Sequence, residues 1–339
     1  MSSLSRLSLL MCLGLLAGCG DGQPLFDVNV PGDGDDELEP AVELPPGTEN
    51  PTPRSRIRRH EAANDSGGGF VTDVSYDPTN DTFSVDNLGF DGANVYQRGD
   101  AVESINSYAV YEADVQVTDP ISGDPIDQIV PYRALLGISE NSVGSDDVPR
   151  TSFAIVRTGG YVNYGFGGFV YERNGSVVLP TSGQAKFEGD YAGVRVFDGK
   201  SGLEYTRGDM TVSIDFEDFN TNPAIKGEIT NREAFNEDGT QIDLSDPDGL
   251  VLPTLVFDVG AGSTTLSRNG EMSGTLRSWK DEGGAGKLYE EGVFYGVLAG
   301  DLTDRNDGGE LVGVIVITSD DPRYDGVTAQ ETGGFILYR

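Results

Sequence analysis

Thiol and imidazole chemistry is nearly absent from this chain: its 339 residues hold two cysteines and one histidine. A disulfide framework needs more cysteines than that. A Cys/His zinc site needs four ligands that are not there. A Ser-His-Asp set would rest on His60 alone. Basic residues are also scarce. Lys plus Arg number 23 against 56 Asp plus Glu, a formal net charge of −33. Nucleic acid requires a basic surface and is not an expected partner. What the chain has in excess is glycine, 47 residues in all. That is roughly twice the average share of ~7%.

The N-terminus reads as an address and is set apart from the fold. Arg6 supplies a positive start, and Leu7 to Leu16 form an apolar run too short to span a membrane as a helix. The run ends in Leu16-Ala17-Gly18-Cys19, which resembles the bacterial lipobox. The resemblance implies a signal peptide over 1–18 and acylation of Cys19, with palmitate-type chains holding the protein on a bilayer. Cys12 would leave with the signal. Gly20, where an aspartate would imply inner-membrane retention, favours the outer membrane.

Residues 19–69 read as a flexible, disordered tether. Pro24, Pro31, Pro40, Pro45, Pro46, Pro51 and Pro53 interrupt it, and Asp33 to Glu37 form an acidic run. Such composition buries too little apolar surface to order itself. A chain of this length spans about 40 Å. Its basic cluster, Arg54 to His60, could meet anionic headgroups; a solvated stretch beside an acidic body is favoured instead.

From Phe70 onward, short runs rich in Val, Ile, Phe, Tyr and Thr alternate with Gly, Asn and Asp turn signals such as Asp198-Gly199, Asp238-Gly239 and Asn269-Gly270. These residues tolerate the positive φ of tight hairpins. The class is all-β. A first β-rich region, 70–180, has its strongest strands at Ile105–Thr118, Ile126–Ile138, Ser152–Arg157 and the aromatic Tyr161–Glu172. The second region, 181–339, divides into eight strands centred near residues 190, 213, 227, 256, 274, 294, 314 and 335. Met210, Val212, Ile214 and Phe216 share one face; Thr211, Ser213, Asp215 and Glu217 share the other. Eight antiparallel strands with short turns predict an up-and-down barrel filled by side chains. Leu311–Ile317 is apolar on both faces, which predicts an outer patch covered by the first region.

Three segments carry a family resemblance. Gly183 to Gly193 (with Gly189, Tyr191 and Gly193), Gly292-Val-Phe294-Tyr295-Gly296, and Gly308-Gly309 through Gly313 resemble the β-barrel domain of transferrin-binding protein B-like lipoproteins. The closing Gly333 to Tyr338 is similar to that family's last barrel strand, and Tyr161–Tyr171 to its β-rich handle. The resemblance implies one handle-plus-barrel lobe over 70–339. Val297-Leu298 departs from the family's usual Pro-Asn after Phe-Tyr-Gly, and no transferrin-contacting loop can be matched. Transferrin binding is therefore not carried over.

Acidic clusters invite two further readings. Counted from Asp304, an EF-hand loop would need a ligand at Gly308 and a glutamate at Ile315, and it fails on both. Asp215 and Glu217 are the best candidate acid/base pair for glycoside hydrolysis, on a face expected to be solvated. The expectation is a non-catalytic, lipid-anchored outer-membrane lipoprotein, monomeric, without cofactor or metal, whose lobe binds a macromolecule or a nutrient-related ligand. The alternatives are a structural or assembly protein of the envelope and a carbohydrate-active enzyme.

Overall fold

The computed structural model describes residues 42–65, 67–86, 88, 94–119, 121–128, 130–145, 147–160, 163–217, 225–246, 249–258 and 266–339. Cys19, the signal and the first part of the tether lie outside these residues. The described chain is all β-sheet, in two parts.

The handle carries β1 (Ile57–His60), β2 (Val74–Asp77), β3 (Thr82–Val85), β4 (Val95–Arg98), β5 (Ser104–Ile105), β6 (Tyr108–Glu112) and β7 (Gln116–Thr118). It continues with β8 (Pro125–Asp127), β9 (Arg133–Ile138), β10 (Ser142–Val143), β11 (Val148–Pro149), β12 (Thr151–Arg157), β13 (Gly167–Arg173) and β14 (Val177–Val178). Most of them build one sheet in the order β1-β13-β12-β9-β6-β4-β3-β2, with β5 on β6. The sheet curls into a half-barrel.

The barrel strands are β15 (Gln184–Asp198), β16 (Leu203–Asp215), β17 (Ile225–Asn236), β18 (Leu255–Asp258), β19 (Glu271–Glu282), β20 (Ala285–Asp301), β21 (Glu310–Asp320) and β22 (Thr328–Tyr338). Each pairs antiparallel with the next, and β22 pairs with β15 to close the ring. All eight centres expected from the sequence fall inside these strands. β14 adds to β20 in parallel. Register shifts at Arg207/Asp209 and at Ser278/Trp279 bend the long strands around the barrel.

Strand alternation sorts most of the described apolar residues into three large cores, with Phe197, Val327 and Ala329 in a small fourth. Met210, Val212, Ile214, Leu276, Phe294 and Phe335 fill part of the barrel lumen. A second core lies between the layers, where Phe153, Ile155, Phe169 and Tyr171 of the handle meet Val194, Val312, Val314 and Ile336 of the barrel wall. The third fills the concave side of the handle, with Phe83, Tyr96, Tyr111, Ala154 and Val170. β21 is apolar on both faces because Leu311 and Ile315 point into the lumen while Val312 and Val314 meet the handle.

Three expectations are corrected. Residues 42–69 do not read as a tether in their described part. β1 pairs with β13 from Ile57↔Arg173 to His60↔Val170, and Ile57 is fully buried. Basic side chains there still deliver an apolar face, because Ile57 alternates with Arg58 and the arginines find acceptors. His60 is therefore a sheet residue, and burial and then Arg58 and Arg59 lower its pKa. The described part of the aromatic strand begins at Gly167, since Asn163 and Gly165 take positive φ and turn the chain; Tyr161 and Val162 of that expectation lie outside the described residues.

Candidate functional site

The glycine and aromatic residues singled out in the sequence are placed by the barrel. Gly189, Tyr191 and Gly193 lie on β15; Gly292, Phe294, Tyr295 and Gly296 on β20; Gly309 in the turn before β21; Gly313 on β21. Phe294 stacks on Phe257 in the lumen with centroids 4.0 Å apart. A Cβ at Gly274 would stand 2.5 Å from the Phe294 ring, so the bare backbone makes room for that stack. Tyr295 faces outward and meets Phe169 of the handle, centroids 6.2 Å apart. These residues build the barrel; they do not converge on a ligand pocket.

One end of the lumen is polar; Tyr191 of the barrel motif belongs to it, but no feature of the sequence marked its charged residues as a cluster. Arg232 is fully shielded and makes a two-pronged pair with Glu290, Nη1 to Oε2 at 2.6 Å and Nη2 to Oε1 at 3.0 Å. Its Nη2 also donates to Glu331 at 3.0 Å. Burial would lower the Arg232 pKa; the Glu290 and Glu331 carboxylates outweigh it and raise the value. Tyr191 donates to Glu331 at 2.5 Å, Thr206 donates to it at 2.8 Å, and Ser278 donates to Glu290 at 2.6 Å. Arg195 pairs with Glu204 at 3.0 Å, and Arg323 holds both Glu204 and Asp321. The charges are paired inside the network, while Arg232 Nε is a buried donor without a partner among the described residues. Among the described residues, apolar side chains and this network together occupy the barrel lumen.

The acidic sequence candidates do not assemble into acid/base machinery. Asp215 is 2% exposed, so its strand face is not solvated as expected. It accepts Gln184 Nε2 at 2.7 Å and the Glu217 amide at 2.9 Å, while Glu217 stays exposed. Asp304 accepts the Asn306 amide, and Asp243 the Ser245 amide, each closing its own turn. Among the described residues, no group of three or more His, Cys, Asp or Glu is arranged to hold a metal ion.

The handle instead holds a concave site. The terminal strands of the curled sheet, β1 and β2, both line a cleft of about 420 Å³. Val74 and Tyr76 of β2 form one wall; Leu136, Ala154, Val170 and Glu172 form another. Arg58 of β1 bridges the cleft's two edges, with Nη2 2.7 Å from Asp73. Arg56, one position before β1, pairs with Glu172 at 2.6 Å. Tyr76 donates to Asp81 at 3.1 Å, and Tyr111 donates to it at 2.7 Å. Arg98 grips the same carboxylate at 2.7 and 3.0 Å. Arg98, and then Tyr111, hold the Asp81 pKa down to about 2. The wall is thus fixed before any ligand arrives. Sequence reading missed the site because Arg56 and Arg58 sat in the presumed tether.

No protein-family model matches this chain, and no curated protein is similar to it. Solved structures give a distant likeness of fold. A transferrin-binding protein B double mutant from Haemophilus parasuis Hp5 is similar with a TM-score of 0.33 and 12% identity, over 79% of this chain and 45% of that one. The intact Ap-TbpB structure, with N and C lobes, is similar with a TM-score of 0.31 and 12% identity, over 84% of this chain and 52% of that one. The chain spans about half the length of these proteins.

Proposed function

We propose that this chain is a non-catalytic binding lobe of the bacterial envelope, tethered to the outer membrane by acyl chains on Cys19. Its ligand, a macromolecule or a nutrient-related compound, is taken on the handle. The observation that carries this reading is the filled lumen. Apolar side chains occupy one part and the Arg232 network the other, so recognition falls to the outside of the barrel and to the handle cleft. The barrel acts as a rigid platform behind the curled sheet.

The outer wall supports a body that stands in water. Lys226, Glu228, Arg207 and Glu233 lie on β16 and β17 with none of them buried. Lipid-facing barrel strands carry an apolar band there. Transferrin, named for the neighbours, is not assigned to this chain.

Two measurements test the reading. Intact-mass analysis of the membrane-bound chain should show acylation, lost in Cys19→Ser; an unmodified wild-type chain overturns the anchor. Cross-linking of the full chain on intact cells should capture one partner or ligand reproducibly. That capture should be weakened by a bulky residue in the cleft. Capture mapping wholly to the barrel's polar outer wall overturns the handle as the binding face.

A further inference from the structure

The fold splits the basic cluster that begins at Arg54. Arg56, Arg58 and Arg59 each find a carboxylate, in Glu172, Asp73 and Glu271. Arg54 does not. We infer that the barrel end carrying Arg54, Arg268 and Val178 is the face that rests on the bilayer, with the two arginines on anionic lipid headgroups. This rests on the Cys19 anchor and adds which way the anchored body faces.

Geometry comes first. Arg173 is fully buried and ties two turns together. Its Nη2 donates to the Thr52 and Ser55 carbonyls at 3.3 and 2.9 Å, and its Nη1 donates to the Asn269 carbonyl at 2.6 Å. Arg54 stands in the first turn and Arg268 in the second, so one buried guanidinium places both at the same end of the barrel. The Val177 amide donates to the Pro53 carbonyl at 2.8 Å and lays β14 alongside, with Val178 45% exposed. The tether leaves from this end. Val42, the first described residue, accepts Ser273 Oγ at 2.6 Å close to the start of β19. Cys19 lies 23 residues earlier, a reach of at most about 80 Å.

Charge comes second. Arg54 and Arg268 are exposed and form no ion pair among the described residues, in a chain with 56 acids. The sequence around them is neutral, since Asn174 to Gly183 and Val259 to Ser267 carry no charged residue. The two barrel ends also differ. Successive strands run in opposite directions, so the connections β15–β16, β17–β18, β19–β20 and β21–β22 all belong to the other end. By sequence they hold seven acids against Lys200 and Arg323. The connections at the Arg268 end hold four acids against Arg268 and Arg305, with Arg54 and Arg339 beside them. An anionic surface repels the acidic end more strongly than this balanced one.

Magnitude comes third. A basic side chain close to such a surface is worth about fivefold in binding. Two bias the anchored body about thirtyfold toward this face. That is too little to recruit a free protein and enough to orient one already held by its lipid.

Labels at the two ends test the orientation on the full acylated chain in vesicles. Cys12 leaves with the signal and Cys19 is blocked by acylation, so one added cysteine takes a fluorophore specifically. Val178→Cys marks the proposed face, and Tyr324→Cys, where the native side chain is 42% exposed, marks the opposite end. The vesicles are phosphatidylcholine with a headgroup nitroxide as quencher, with or without about 30 mol% phosphatidylglycerol, the anionic component. With phosphatidylglycerol, the label at 178 should be quenched several-fold more than the label at 324. High salt, or Arg54→Glu with Arg268→Glu, should remove that excess while circular dichroism stays unchanged. Equal quenching at both ends, stronger quenching at 324, or an excess indifferent to the charge reversal overturns the inference. Intact mass of the same sample separates the two readings. An acylated chain without the excess overturns the orientation alone, and a chain without acyl groups overturns both.

Discussion

The hydroxyl of Tyr108, a handle residue, fills a break in the barrel's own ladder at Ile336. The amide of Ile336 donates to Tyr108 Oη at 2.8 Å, and Tyr108 donates on to the Asp190 carbonyl at 2.8 Å. Between Glu188↔Tyr338 and Tyr191↔Phe335, β15 and β22 skip their pairing, and the phenol stands in that gap. Burial raises the Tyr108 pKa, so the hydroxyl stays protonated and available as both donor and acceptor. Asn106, in the turn before it, donates to the Tyr191 and Gly208 carbonyls at 3.1 and 3.2 Å. The handle thus completes the barrel's seam as well as packing on it.

Tyr108→Phe keeps the ring and removes the seam's hydrogen bonds. It leaves the Ile336 amide and the Asp190 carbonyl unpaired, at about 1–3 kcal/mol. Urea midpoints should fall accordingly, and amide exchange at Ile336 should accelerate well beyond that of its β22 neighbours. Unchanged exchange at Ile336 would show that the seam closes without the handle.

Arg232 holds the polar end of the lumen together. Arg232→Met leaves Glu290 and Glu331 buried without their cation. Removing one partner of a buried pair costs about 3–5 kcal/mol. Thermal unfolding should shift down strongly, and adding Glu290→Gln to the same chain should return part of the loss. A small effect of Arg232→Met alone would mean that solvent reaches these carboxylates.

Tyr191 needs Gly333 opposite it. A Cβ on Gly333 would lie 2.1 Å from the Tyr191 hydroxyl and 2.2 Å from its ring. Gly333→Ala therefore pushes the phenol off Glu331, with overpacking of about 1–3 kcal/mol added to the lost hydrogen bond. Tyr191→Phe loses the hydrogen bond alone and should be the milder change. In the double variant Tyr191→Ala with Gly333→Ala, the clash term should vanish from a double-mutant cycle.

The barrel was legible because its strands are long and alternate cleanly. Met210, Val212 and Ile214 against Thr211 and Ser213 mark the lumen side without any tertiary knowledge. The doubly apolar β21 even announced the covering sheet. What stayed hidden obeys a different rule. Arg232, Glu290 and Glu331 stand at lumen positions, yet a charged residue taken alone reads as solvent-facing. Only the closed ring, by bringing β17, β20 and β22 together across the lumen, turns three apparent surface charges into a buried set. Arg58 and Arg59 misled in the same way. Arg59 is 9% exposed because Glu271 of the barrel meets it at 2.7 Å, a partner more than two hundred residues away in sequence. The cleft needed β1 and β2 at opposite ends of one curled sheet, and no local pattern encodes that curl.

Glu310 ties the two parts together at the other end of the barrel. Its Oε2 accepts Ser139 Oγ at 2.6 Å and Asn141 Nδ2 at 3.0 Å, both from the handle. Its Oε1 is buried without a hydrogen-bond partner. Burial raises the carboxyl pKa above the ordinary value of 4.5, against the pull of these donors. Glu310→Gln removes the buried charge while keeping an acceptor for Ser139. A raised folded pKa favours stability at low pH and erodes it as pH climbs through the shifted value. The variant should therefore match wild type near pH 4 and exceed it in urea midpoint at pH 7. A variant less stable than wild type at pH 7 would mean that the charge is needed by its donors.

Asp81 titrates with the opposite sign, at the wall of the cleft. Its folded pKa is about 2, below the ordinary 3.8, because Arg98 and Tyr111 hold the ionised form. The unfolded chain takes up this proton first as acid is added. The stabilisation is present above about pH 4 and is lost as pH falls through about 2. Its size is modest, since the Asp81 side chain is 45% exposed and solvent screens the pair. Asp81→Asn removes the titration and loosens Tyr76, whose hydroxyl donates to the same carboxylate. Urea midpoints for wild type should fall more steeply between pH 4 and 2 than those of the variant. Parallel pH curves for the two chains would show that Arg98 and Tyr111 do not hold the ionised carboxylate in solution.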